Sequence, residues 1–331
     1  MLLASTASPL VIAHRGASGE RPEHTLEAYA LAIEQGADYL EPDLVSTRDG
    51  VLVARHENEI SETTDVASHP EFADRKTTKL IDGQSMTGWF TEDFTLTELK
   101  TLRAKERLPQ LRNANTAYDG RFEVPTLSEI IALVQKRQSE TGRTIGLYPE
   151  TKHPGYFRSI GLPIEEPLVK ALTAAGYVGA DDPVFIQSFE VENLKRLRGM
   201  TGLSLVQLMA ASDGPPDLPG VTYAAMSTAQ GLGDVARYAN AIGAEKTLVI
   251  PRDRNGNLAE PTMLVRDAHA AGLKVHIWTF RRENYFLPQN LRTGADPRAA
   301  GDVTTEIRAY RAIGIDGFFT DNVAEGVAAA R

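Results

Sequence analysis

The chain has 331 residues, 42 % of them hydrophobic and 24 % charged, a balance that excludes wholesale disorder and allows one large domain. A net charge of −9 without a Lys/Arg block excludes a polyanion cradle, so no nucleic acid is expected as a partner. The lack of cysteine excludes disulfides, thiolate metal sites and a cysteine nucleophile.

The opening MLLASTASPL is too short for a complete signal peptide and has no basic n-region. Its small residues suit the remnant of an export signal, with an ordinary cytoplasmic amino terminus as the alternative. No apolar stretch reaches the roughly 18 to 20 residues of a spanning helix, so no integral membrane segment is expected.

The first strand candidate is LVIAH (10–14), followed by the helix HTLEAYALAIEQG with Thr25 as its N-cap and by a second strand, DYLEPDL (38–44). DLVSTRDGVLVARHE then reads as a strand, an R-D-G turn and a returning strand. Residues from about 58 to 122 form a polar, Asp/Thr-rich insertion whose Trp89, Phe90 and Phe94 are expected to make its own small core. Beyond it come the strands TIGLYPE (144–150), PVFIQSF (183–189), SLVQLM (204–209), TLVIP (247–251), KVHIWTF (274–280) and DGFFTD (316–321), alternating with helices that often end in Gly. GVTYAAMS (220–227) is a possible ninth. Eight strands alternating with helices, and no Gly-rich dinucleotide fingerprint after the first, predict a single α/β domain over 1–331: a (β/α)8 TIM barrel with a small inserted subdomain after the second strand.

In such a barrel, functional groups collect where strands end. His14 and Arg15 close the first strand, Glu41 and Asp43 the second, His56 the returning strand, and Glu150 with Lys152 the third. Residues two apart on a strand share a face, so these pairs converge. Any one carboxylate alone would be read as half of a surface ion pair. Three at one mouth repel, and a hard divalent cation, Ca²⁺ or Mg²⁺, is the natural means of holding them together.

His14 and His56 flank that expected cation, and two imidazoles suit the two proton transfers that breaking a phosphodiester requires. Arg15 and Lys152 suit the non-bridging oxygens. Trp278 is expected as an apolar platform for the organic part of a substrate, with a packed core tryptophan as the alternative. His276 reads as a core histidine, and His24, His69, His153 and His269 as surface or capping residues.

The segments AHRGASGERPEHTLEAYALAIEQGADYLEPDL, VLVARHEN, LYPETKHPGY, VFIQSF, VHIWTF and GFFTDN closely resemble the glycerophosphodiester phosphodiesterase family. The likeness extends from about residue 10 to about residue 323. It implies a TIM barrel that hydrolyses a small-molecule glycerophosphodiester to sn-glycerol 3-phosphate and an alcohol. Carried over by position, it implies Glu41, Asp43 and Glu150 as metal ligands, His14 and His56 as the acid/base pair, and Arg15 and Lys152 as phosphate contacts. The long insertion and W-T-F-R-R-E-N resemble the periplasmic or secreted, often Ca²⁺-dependent branch, and a monomer or homodimer is expected. The family often continues H-D-x-x-L-x-R-T-T after its second histidine, whereas this chain reads HENEISETT, with Glu57 for Asp and Glu62 for Arg. That departure leaves headgroup and metal preference open.

Two other readings fit the same fold. A metal-dependent sugar isomerase or aldolase would use the carboxylates and histidines for enolisation, but the adjacent His14 and Arg15 argue for phosphate. A catalytically silent headgroup-binding protein would need a broken acid/base pair, and both histidines are present.

Overall fold

Strands and helices alternate through a computed structural model that describes residues 8–331. Residues 1–7 of the expected signal remnant MLLASTASPL lie outside the described residues. In chain order, β1 (Leu10–His14) leads through α1 (Leu26–Glu34) to a second stave split into β2 (Tyr39–Glu41) and β3 (Asp43–Ser46), and β4 (Leu52–Ala54) follows. A hairpin, β5 (Thr77–Ile81) and β6 (Gln84–Gly88), and the short α2 (Leu96–Leu99) precede α3 (Leu127–Thr141). The third stave is also split, into β7 (Gly146–Leu147) and β8 (Glu150–Thr151), before α4 (Pro154–Ser159) and α5 (Glu165–Ala174). The remainder runs β9 (Phe185–Ser188), α6 (Val191–Arg198), β10 (Ser204–Met209), α7 (Tyr223–Met226), α8 (Ala229–Val235), β11 (Ala241–Glu245) and α9 (Lys246–Val249). It ends with α10 (Leu264–Ala270), β12 (Lys274–Phe280), α11 (Val303–Ala312), β13 (Gly317–Thr320) and α12 (Val323–Ala330).

Parallel pairing of β13 with β1, β1 with β2, β2 with β7 and β3 with β8 joins the two ends of the strand order and gives the TIM barrel. Both split staves break at a proline, Pro42 and Pro149, which has no N–H to give to a ladder. Their carbonyls still accept, from Glu150 N and Gln187 N at 2.9 Å each. The breaks therefore interrupt pairing without moving the staves apart, and they fall beside Glu41, Asp43 and Glu150.

Two sequence expectations fail here. The sixth stave is β11, not TLVIP, whose first residues instead form the one-turn α9. A side chain in place of Gly243 would have its Cβ 2.6 Å from Leu208 Cδ2, so this stave is built from small residues with little intrinsic strand preference. GVTYAAMS is no strand either: Thr222 accepts from Ala225 N and starts α7.

Ile12, Tyr148, Phe185, Val206, Ala241 and Phe319 fill the barrel interior. His276, fully buried beside them, bonds Tyr148 Oη at 2.6 Å through Nδ1, a core role as expected. The larger apolar layer lies between staves and helices. Trp89, Phe94 and Phe72 join that layer, with Trp89 Nε1 donating to Phe72 O, so these aromatics are continuous with the main core rather than separate from it, while Phe90 is buried outside it. Among the described residues no helix is long and apolar enough to cross a membrane.

Candidate active site

The first stave ends abruptly. Arg15 takes the left-handed conformation, φ 62°, which non-glycine residues seldom adopt, and Gly16 follows at φ 85°. A Cβ at Gly16 would lie 2.7 Å from the backbone of Ala28, so only glycine lets the loop pass the first turn of α1. That kink brings Arg15 N to 2.8 Å from Glu41 Oε2 on the next stave, while its guanidinium reaches Glu23 at 3.0 Å and Asp43 at 3.2 Å. Thr25 accepts from Ala28 N and caps α1, as its sequence position predicts.

His14, Arg15, Glu41, His56, Glu150, Lys152 and Trp278 line one cavity of about 160 Å³. Asp43 lies at its base: Glu41, Asp43 and Glu150 are buried and offer oxygens within 4.8 Å of one another. All eight candidate residues of the sequence are thus brought together. Glu41 accepts from Arg15 N and Gln187 Nε2, and Glu150 is 3.1 Å from Lys152 Nζ.

A divalent cation fits this donor set. Asp43 Oδ1 is buried without a hydrogen-bond partner among the described residues, an expensive state for a carboxylate oxygen. Burial first, and then the neighbouring Asp43, push Glu41 well above the usual carboxylate range; burial and Asp43 likewise push Glu150 up to about 8 against the opposing Lys152. Three oxygen donors that cannot all ionise at neutral pH without positive charge between them match a hard cation.

The two histidines share one arrangement. His14 Nδ1 bonds Asp321 Oδ1 at 2.6 Å, and His56 Nδ1 lies 3.0 Å from Glu57 Oε1. A carboxylate on Nδ1 fixes the tautomer and leaves Nε2 for the cavity. Burial, and then the Arg15 charge, lower His14 to about 4; burial, Arg15 and Lys152 lower His56 to about 3. Both shifts favour the neutral form of the ring.

Several residues around the cavity escaped the sequence reading. Asp321, the last residue of DGFFTD, receives Arg112 Nη2 at 2.5 Å and Arg281 Nε at 2.8 Å as well as His14. His24, read as surface or capping, is fully buried, with Nε2 2.9 Å from Asp43 Oδ2 and Nδ1 2.7 Å from Tyr29 Oη. His153 is no simple cap: its ring joins Glu57 at 2.7 Å to Asp82 at 2.5 Å. His69 makes a local ion pair with Glu71, and His269 pairs with Asp316, 47 positions away. No spacing rule flags the partners of Asp321, His24 and His153 around the cavity, because they meet through the fold.

The glycerophosphoryl diester phosphodiesterase family profile matches residues 14–325. A glycerophosphodiester phosphodiesterase of Arabidopsis thaliana is 38 % identical over 328 aligned residues, covering 96 % of this chain and 84 % of that one. One from Haemophilus influenzae is 32 % identical over 83 % of this chain and 79 % of its own. Among solved structures, a phosphodiesterase of Oleispira antarctica in complex with the product sn-glycerol-3-phosphate superposes with a TM-score of 0.60 at 20 % identity, over 97 % of this chain and 96 % of that one. A glycerophosphodiester phosphodiesterase of Agrobacterium tumefaciens gives 0.60 at 18 % identity, over 97 % and 99 %. Sequence match, barrel and site geometry agree: the chain is an enzyme of the glycerophosphoryl diester phosphodiesterase family.

Proposed function

We propose that the chain hydrolyses glycerophosphodiesters to sn-glycerol 3-phosphate and an alcohol by two-histidine acid/base catalysis that depends on a divalent cation. The observation that carries this reading is the pairing of two neutral imidazoles, each with a carboxylate at Nδ1, across a cavity floored by three carboxylates. Glu41, Asp43 and Glu150 would hold the cation, Ca²⁺ in the first instance and Mg²⁺ as the alternative. When bound, it supplies Lewis-acid polarisation of the phosphoryl group.

The protein's own groups do the rest. Arg15 and Lys152 hold the non-bridging oxygens by charge-assisted hydrogen bonds. One histidine takes the proton of the attacking oxygen as its bond to phosphorus forms. The other gives a proton to the alcohol oxygen as its bond to phosphorus breaks. Trp278, edge-on to Phe189 at 5.9 Å and donating through Nε1 to Gly243 O, offers an indole fixed in place as an apolar wall for the organic part of the substrate. Export to the periplasm or beyond is inferred from the branch resemblance.

The test is release of glycerol 3-phosphate from several glycerophosphodiesters, with EDTA and with Ca²⁺ or Mg²⁺ restored. Release should cease with chelator and return with metal, and His14→Ala or His56→Ala should abolish it while leaving the thermal midpoint near that of the unaltered chain. No release under any metal condition sinks the proposal.

A further inference from the structure

The segment between β4 and α3 contains a hairpin whose presence the barrel itself does not explain. β5 and β6 are largely exposed, and a two-stranded hairpin with little burial is marginal by itself. Its turn is an Asp-Gly pair, with Asp82 at φ 48° and Gly83 at φ 78° between the paired Ile81 and Gln84, the primed geometry that closes hairpins tightly. Asp82 at the tip meets His153 Nδ1 at 2.5 Å. His153 Nε2 in turn meets Glu57 Oε2 at 2.7 Å, and the other oxygen of Glu57 is 3.0 Å from His56 Nδ1. Four side chains thus connect the hairpin tip to the cavity.

We propose that Asp82, His153 and Glu57 form a positioning relay that holds the His56 ring in its working tautomer and orientation, an inference that rests on the hydrolase reading above. His153 sits between two carboxylates that hold it protonated, up to about 9 despite its burial. As a cation it donates from both ring nitrogens and keeps Glu57 ionised. Glu57 can then only accept from His56, which places the His56 proton on Nδ1 and leaves the lone pair on Nε2. Glu has one more rotatable bond than Asp and loses more freedom when fixed, so a carboxylate of this length at position 57 needs a second anchor, which His153 provides. The other charges facing the relay are Arg15 and Lys152 at His56, Lys152 at Glu57 and His153, and Glu190 near His153. None of these three reaches either ring nitrogen of His153, which are taken by Glu57 and Asp82.

Steady-state release of glycerol 3-phosphate from glycerophosphocholine by the full chain with divalent cation, with kcat and KM measured separately, tests the relay. His153→Asn keeps a residue that tolerates the φ of 46° found there, and Asp82→Asn alters only an exposed tip. Each should lower kcat about tenfold, with KM within about twofold and an unchanged thermal midpoint. Glu57→Asp should retain more kcat than Glu57→Gln. The double variant Glu57→Gln/Asp82→Asn should be no slower than Glu57→Gln alone, because both changes cut one chain.

Wild-type kcat in Asp82→Asn and His153→Asn overturns the relay, as do losses that multiply in the double variant or that track a fallen midpoint. A wild-type chain that releases no product, or a His56→Ala variant that still turns over, overturns the hydrolase reading itself. Wild-type turnover that His56→Ala abolishes, with unaffected Asp82 and His153 variants, removes the relay alone.

Discussion

His14 and His56 present the same chemistry to one cavity from opposite kinds of surroundings. His14 ends a barrel stave, and its carboxylate, Asp321, is buried beneath two guanidiniums, Arg112 and Arg281. His56 sits just past β4, half-buried, and Glu57 beside it is a third exposed along its side chain and braced by a histidine on a neighbouring loop. The first is held by desolvated charge and the second by a chain of close polar contacts reaching the surface. A buried charged network is costly to break because the partner left behind stays unpaired, whereas a partly wet pair is replaced by water.

That contrast sets an order of effects. The largest is on stability: Asp321→Ala leaves Arg281 without its carboxylate and Arg112 with only Glu283, and should cost about 3–5 kcal/mol in chemical denaturation. On turnover, Asp321→Asn should lower kcat about 100-fold and Glu57→Gln about tenfold; equal losses would erase the distinction between the two histidines. His153, held at about 9 against an ordinary value of 6.5, binds its proton more tightly folded than unfolded. Its contribution is full below pH 6.5 and lost as pH rises towards 9, so stability should fall across that window by on the order of 3 kcal/mol, and the slope should flatten in His153→Asn. Smallest of all, Glu57→Ala should change stability by less than about 1 kcal/mol.

What the sequence disclosed follows the same division. Residues at strand ends could be placed because alternation and stave order determine which of them converge, and all eight meet. The sixth stave was hidden for a physical reason: AIGAE is selected for fitting beside Leu208, not for strand preference, while the nearby apolar TLVIP had the stronger local signal and became a helical turn. The supporting residues were hidden for another. His24, Arg112, Arg281 and Asp82 act through partners 19, 209, 40 and 71 positions away, and no local pattern encodes such a pairing. Glu57 was visible as a departure from the family, but its contact with His56 and His153 was not.

Another segment also spans these distances. Arg112 reaches Asp321, Arg107 reaches Glu23 beside Arg15, and Asp82 reaches His153. The stretch between β4 and α3 thus fastens three separate parts of the cavity wall, which a loop tolerant of change would not do.

The bond between His14 and Asp321 joins residues 307 positions apart, on the first and last staves of the barrel. Synthesis runs from one to the other, so a nascent chain carries β1 with one unpaired edge and His14 without its carboxylate until β13 has emerged and docked. Under the proposed mechanism, a His14 ring braced by its carboxylate would therefore exist only after the final closure of the barrel, however well the earlier staves have folded.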